Sequence, residues 1–285
     1  MTTYAARAPN HLGDGVMALP AMHALAALGE LTIYAPSWAY DLYRDVDARI
    51  VPRGAMSRAD VAILFPPSFR AAWESRRCRR RIGTASDGRA LLLTDRVKPG
   101  IHMADTYTAL VERAGAVVTS TPCWRSRGTD PSPDVPAGHV AIQPVGATLG
   151  AREWEGFSRL AQRLNSPVVW YAGPGQEEAL ERWAPKGADR RVGLSLPALA
   201  CALKSARTWV SIDTGPAHFA RACGVPTVCV HVTTNARESG PSGGISVATG
   251  TSSDGRWSMT RARRGPLQVP VEDVLLAIER AGGRA

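Results

Sequence analysis

Fifteen residues, Val210 to Gly224 (VSIDTGPAHFARACG), constrain this chain more than any other stretch. The apolar run through Ile212 predicts a short buried strand, and Asp213-Thr214-Gly215-Pro216 a turn. Ala217 to Cys223 reads as a helix closed by Gly224, and Pro226 to Val232 as a second strand. A strand–turn–helix–strand order places the turn at the carboxyl edge of a parallel sheet, where open α/β folds bind ligands. Pro216 suits an early helical position, so free backbone N–H groups and the positive end of the helix face whatever lies beside Thr214 and Gly215. A phosphate fits there. The competing reading is that Asp213 and Thr214 only cap the helix.

The same βα rhythm recurs along the chain, and 285 residues with 45% hydrophobic content are enough for two cores of ordinary size. Thr3 to Arg7 is a strand candidate, followed by the turn-rich Ala8-Pro9-Asn10-His11-Leu12-Gly13-Asp14-Gly15. Val16, Leu19, Met22 and Ala26 then give an apolar helical face leading to the strand Leu31–Tyr34. Gly13-Asp14-Gly15 is not a dinucleotide fingerprint: a third glycine is missing, and Asp14 would repel a pyrophosphate laid on it. A carboxylate at a helix amino terminus is stabilised in its charged form and can accept a proton from a hydroxyl, although it also suits a plain cap. Val61–Phe65 and Leu91–Leu93 are read as further strands, with helices after Arg70 and over Tyr107–Ala114.

Thr119 to Gly138, with Pro122, Pro131, Pro133 and Pro136 and no periodicity, reads as a linker. The expected organisation is therefore a Rossmann-like domain over 1–120, a linker over 121–138, a second Rossmann-like domain over 139–269 and a terminal helix over 270–285. In the second domain Val140–Gln143, Val168–Ala172 and Trp209–Ile212 are strands. Gln176, Ser195-Leu196-Pro197 and Trp154 lie at helix starts. The fold class is α/β with two Rossmann-like domains facing a cleft, an arrangement suited to a nucleotide-linked donor in one half and an acceptor in the other.

The formal charge is +9, carried almost wholly by arginine, since Lys98, Lys186 and Lys204 are the only lysines. The densest run, Arg76-Arg77-Cys78-Arg79-Arg80-Arg81, suits an anionic acceptor or a solvated helix end. It lacks the interleaved aromatics of a single-strand binder, and no helix-turn-helix or zinc-finger spacing occurs, so no nucleic-acid partner is expected. Cys78, Cys123, Cys201, Cys223 and Cys229 form no C-x-x-C pair, and no metal site or disulfide framework is expected. Nothing reaches the length of a membrane span, and no signal peptide is apparent. The expectation is a cytoplasmic protein, with work at the inner face of a membrane open to it.

Two of these motifs carry a family likeness. Arg7 to Ala21 resembles the amino-terminal G-D-x-x-x-x-x-P motif of the ADP-heptose:lipopolysaccharide heptosyltransferases, glycosyltransferase family 9, and Ser211 to Pro226 resembles its D-T-G-x-x-H-x-A-x-A-x-G-x-P signature. Pro67-Ser68-Phe69-Arg70, Arg81-Ile82-Gly83, Arg89 with Leu91–Thr94, and Arg152-Glu153-Trp154 are similar in the right order. The resemblance implies a GT-B fold and an inverting, metal-independent transfer with no cofactor beyond the nucleotide-sugar donor. It implies Asp14 as the general base; Thr148, Arg152, Glu177, Leu196, Asp213, Thr214, Gly215 and His218 on the donor side; and Asn10, Ser68, Arg70 and Arg89 toward the acceptor.

This chain departs from the family in having Arg152 where lysine is usual, and Val232-Thr233-Thr234-Asn235-Ala236 where G-P-T-[DS]-P is common. The donor-side loop is thus changed. The expected partners are a nucleotide sugar, a heptose being one candidate, and a glycan or lipid-linked anionic acceptor. A soluble natural-product acceptor, a non-catalytic sugar-nucleotide binder and a sugar-nucleotide epimerase are the alternatives.

Overall fold

The computed structural model describes residues 1–86, 88–146, 153–248 and 269–282. The chain divides into two compact units, Met1–Cys123 and Trp124–Ala285. The first runs β1 (Thr3–Arg7), α1 (Leu12–Met17), α2 (Leu19–Ala26), β2 (Glu30–Ala35), α3 (Ala39–Leu42), β3 (Arg49–Pro52), β4 (Val61–Leu64), α4 (Phe69–Glu74), β5 (Arg80–Thr84), a short 3-10 turn at Arg89–Leu92, β6 (Asp95–Val97) and α5 (Met103–Glu112). The second runs β7 (Val140–Gln143), α6 (Phe157–Arg163), β8 (Val168–Ala172), α7 (Glu177–Glu181), β9 (Asp189–Val192), α8 (Leu196–Leu203), β10 (Thr208–Ile212), α9 (Gly215–Ala222), β11 (Thr227–His231), α10 (Ala236–Ser239), β12 (Ile245–Ala248) and α11 (Val271–Gly282).

Each unit has one six-stranded sheet, ordered β3-β2-β1-β4-β5-β6 and β12-β11-β10-β7-β8-β9. Every described pairing is parallel. In both, the first strand lies beside the fourth and the chain winds outward from that pair in both directions, the doubly wound order of a Rossmann fold. This is the α/β, GT-B class of architecture that the resemblance implied. The central strands β4, β7, β10 and β11 are buried at every residue. Helices cover both faces of a parallel sheet, so such strands read as unbroken apolar runs rather than alternating ones.

Within unit 2, Trp154, Phe157 and Trp183 pack edge to face. The Trp154 indole donates to the Val269 carbonyl at 2.8 Å, tying the amino-terminal approach of α6 to that of α11. The apolar face of α11 (Val271, Val274, Ala277, Ile278) is buried in the same core. Trp124, inside the proline-rich segment, is buried as well. Its ring lies 5.1 Å from Phe219 and its N–H donates to the Ala222 carbonyl, so the chain joins unit 2 well before β7.

One expected strand is absent: Leu91–Leu93 largely falls in the 3-10 turn Arg89–Leu92, and the edge strand is β6. The reason is Arg89, whose fully buried guanidinium pins this turn beneath the ends of β4 and β5. No described helix is long and apolar enough to cross a membrane.

Candidate functional site

In unit 2 the loops that leave β7, β8, β9 and β10 share one edge of the sheet. The point where the winding direction reverses lies between β7 and β10, and open α/β sheets bind ligands outside such a point. Asp213, Thr214 and Gly215 stand there, joining β10 directly to α9. Thr214 is the N-cap residue of α9, in extended conformation, yet its side chain makes no capping hydrogen bond, and its hydroxyl is buried without a partner. The cap reading of this turn therefore lacks its defining contact. Gly224, at φ +87, ends α9 as the sequence indicated.

The neighbouring loops are knit to one another. The Gln176 side chain accepts from the Gly173 N–H at 2.8 Å and donates to the Gly146 carbonyl at 2.9 Å, linking the exits of β8 and β7. Glu177 is exposed at the first position of α7, and Leu196 is half-buried at the first position of α8, after β9. Thr148 and Arg152, the expected phosphate contacts, lie outside the described residues.

Asp213 is buried and belongs to a polar cluster. Ser239 Oγ, at the end of α10, donates to its Oδ2 at 2.9 Å. His218 Nε2 and His231 Nδ1 each stand 4.0 Å from a carboxylate oxygen. His218 thus faces Asp213 from one helical turn along α9. His231, at the end of β11, also pairs with Thr234 at 2.9 Å through Nδ1 and Ser246 at 3.2 Å through Nε2. Through Ser239 and His231 the altered loop after β11 is fastened to the aspartate.

Sequence reasoning missed His231 and Ser239; the available signal was a histidine closing the apolar run Val228-Cys229-Val230 of β11. Asp213, Cys229 and His231 are the described group whose ligand atoms come within 4.8 Å of one another, so they could approach a metal ion. Asp213 and His231 are already engaged in the hydrogen bonds above.

In unit 1 the corresponding reversal lies between β1 and β4. The chain leaving β1 enters α1, with Asp14 in its first turn, half-buried. Gly15 permits α1 to lie against α3, because a Cβ there would stand 2.8 Å from the Leu42 side chain. Two buried tyrosines back the aspartate. Burial, and then the Asp14 charge to which its hydroxyl hydrogen-bonds, pushes the Tyr107 phenol far above the ordinary tyrosine range. Burial and Asp14 do the same to Tyr43, whose hydroxyl donates to the Gly15 carbonyl at 3.3 Å. Both phenols stay protonated, so Tyr107 is a fixed donor to the carboxylate.

The expected acceptor residues separate into two kinds. Asn10 and Arg70 are exposed, Arg70 with an ion pair to Glu74 at 2.8 Å. Glu74 is also paired, at 3.1 Å, with the buried Arg7 at the end of β1. Ser68 is the N-cap of α4, its hydroxyl accepting from the Ala71 N–H at 3.2 Å.

Arg89 differs from these in its burial and its partners. It is fully buried and donates to the carbonyls of Thr84 at 2.8 Å and Pro66 at 2.5 Å, and to Thr84 Oγ1 at 2.8 Å. A guanidinium committed in this way braces the loops after β4 and β5. Gly83 makes room for it: a Cβ there would meet Arg89 Nη2 at 3.3 Å and Leu93 Cδ2 at 3.1 Å. Of the arginine run, Arg80 pairs with Asp95 at 3.1 Å and Arg81 donates to the Leu92 carbonyl at 2.6 Å, while Arg76, Arg77 and Arg79 remain exposed.

Comparison with known proteins adds the following. The family described as Glycosyltransferase family 9 (heptosyltransferase) matches residues 55–261, well over half of the chain. The match begins beyond the Asp14 turn and includes Asp213-Thr214-Gly215. No curated protein matches the sequence. Among solved structures, the glycosyl transferase family 9 protein from Veillonella parvula DSM 2008 is similar at a TM-score of 0.79 and 17% identity, covering 100% of this chain and 98% of the other. E. coli ADP-heptose lps heptosyltransferase II is similar at 0.73 and 16%, covering 98% and 99%. E. coli heptosyltransferase WaaC with ADP follows at 0.70 and 17%, again covering 98% and 99%. At these identities the likeness speaks for the fold.

Proposed function

The chain belongs to glycosyltransferase family 9, and on that footing we propose that it moves a sugar from a nucleoside diphosphate to an acceptor hydroxyl, with inversion at the anomeric carbon and without a divalent ion. The observation that carries this reading is positional. Asp14 and the Asp213-Thr214-Gly215 turn each stand where the winding of a six-stranded parallel sheet reverses, one in each unit.

In this reading the diphosphate lies against the amino terminus of α9, where the backbone at Thr214 and Gly215 and the positive helix end oppose the charge that develops as the sugar–phosphate bond breaks. Arg152 adds a second positive group, the part a divalent ion plays elsewhere. Asp14 accepts the proton of the acceptor hydroxyl as its oxygen bonds to the anomeric carbon, and the bonding pair of the broken bond leaves with the diphosphate. Tyr107 holds the Asp14 carboxylate in place from behind. Asp213, steadied by Ser239 and His231, meets the sugar hydroxyls, and Glu177 meets the ribose. The heptosyltransferases among the similar structures support ADP-heptose as the donor to try first, with a lipopolysaccharide-type acceptor.

The test is ADP release on incubation with ADP-heptose and an inner-core lipopolysaccharide acceptor, with and without chelator. A general base contributes about 10²–10⁴-fold, so Asp14→Asn should lower turnover by at least about a hundredfold while ADP still raises the melting temperature. Turnover by that variant within threefold of the parent removes Asp14 from the role. Loss of turnover in chelator removes metal independence.

A further inference from the structure

We propose that α4 and the adjoining 3-10 turn of unit 1 form a docking surface for an anionic lipid bilayer. Phe69 and Trp73, four residues apart on α4, are 48% and 51% exposed, and Leu91 is 90% exposed. Residues four apart lie on one side of a helix. The 3-10 turn carrying Leu91 packs against α4, anchored by the Arg89 contacts to the carbonyls of Pro66 and Ser68. Three large apolar side chains are therefore presented by two abutting segments, although single exposed apolar residues are the ordinary case for a protein surface.

Charge identifies the occupant. Arginine flanks the apolar side chains. Arg70 has 83% of its side chain exposed, the Arg76 guanidinium lies 4.9 Å over the Trp73 ring, and Arg77 is exposed beside it. The acid within α4, Glu74, is buried and held by Arg7 and Arg70, so it offsets little of this outward charge. Aromatic and aliphatic side chains ringed by arginine match the interface of a membrane bearing anionic headgroups, where rings enter the headgroup level and guanidiniums meet phosphates. A protein partner of ordinary composition does not call for so lopsided a charge.

The placement deepens the proposed function. α4 starts from the end of β4, next to β1 and the chain leading to Asp14, so a protein docked in this way has the acceptor-facing edge of unit 1 near the lipid.

The experiment is sedimentation of the full chain with vesicles of phosphatidylglycerol and phosphatidylcholine, against vesicles of phosphatidylcholine alone. It uses no donor or acceptor, so it can fail while the transfer reading stands, and the reverse. Binding is expected to the anionic vesicles, weakening with salt. The triple variant Phe69→Ser, Trp73→Ser, Leu91→Ser should lose at least tenfold in affinity with its melting temperature kept. Arg76→Glu with Arg77→Glu should lose more than tenfold, since each basic residue near an anionic surface is worth roughly fivefold. Failure to sediment with anionic vesicles overturns the proposal. So does binding that survives the triple substitution, or a triple variant whose only change is loss of self-association, which would make the surface a contact between copies of the chain.

Discussion

Replacing Arg89 by methionine separates a brace from a ligand contact. The substitution keeps most of the apolar stem and deletes the guanidinium. The Thr84 and Pro66 carbonyls and the Thr84 hydroxyl then lose a charged donor now held at 2.5–2.8 Å. Leaving a buried polar group unsatisfied costs about 1–3 kcal/mol, and three such losses with partial relaxation give about 3–5 kcal/mol. That is a large share of the 5–15 kcal/mol that ordinarily separates a folded domain from its unfolded chain.

For a unit of this size the loss corresponds to a fall of roughly 10–20 °C in its unfolding transition. Calorimetry on the full chain reads the fall, and hydrogen exchange of peptides covering β4, β5 and the 3-10 turn locates it. Arg70→Met, which removes an exposed guanidinium and leaves the buried Glu74 paired with Arg7, supplies the contrast and should cost no more than about 1 kcal/mol. An Arg89→Met protein that melts within about 2 °C of the parent, with normal exchange at β5, would refute the brace and return Arg89 to the acceptor.

Two further outcomes follow from unit 2. His139 is buried, its Nδ1–H donating to the Pro136 carbonyl at 2.7 Å while Nε2 accepts from the Tyr171 hydroxyl at 3.1 Å, and burial holds its pKa below the ordinary 6.5. The unfolded chain takes up this proton first as pH falls below 6.5, so folding should weaken there by at most about 1.4 kcal/mol per pH unit. His139→Gln should flatten that part of a urea-midpoint profile between pH 7 and 5, and an unchanged slope would exclude His139 as its source. Ser239→Ala removes the 2.9 Å hydrogen bond to Asp213; with such bonds worth about 1.5–3 kcal/mol, turnover of the donor should fall roughly tenfold or more. Full activity would show that Asp213 needs no support from the loop.

The sequence disclosed β10 and α9 because both signals there agree: a continuous apolar run, then Asp, Gly and Pro at the turn. It disclosed β5 poorly, since that strand opens with Arg80 and Arg81, whose charges are met by Asp95 and by the Leu92 and Cys78 carbonyls only after β5 has paired with its neighbours. Leu91–Leu93 misled for the same reason. Its apolar content suggests a strand, but the nearby guanidinium belongs to the Thr84 carbonyl and to those of Pro66 and Ser68 more than twenty residues away, and no local pattern announces the longer-range bonds. Asp14 was legible from its turn. The two tyrosines behind it were not, because they arrive from the end of α3 and from α5 and meet the aspartate only through helix packing. His231 stood in plain view within β11, but its partners Thr234 and Ser246 give it meaning only when β12 lies alongside.

The joint at Cys123 and Trp124 cuts no strand ladder, for β1 to β6 close one sheet and β7 to β12 the other. Each half therefore keeps its own sheet, and no described strand crosses from one to the other. Asp14 travels with the first half and Asp213, His218, His231 and Ser239 with the second.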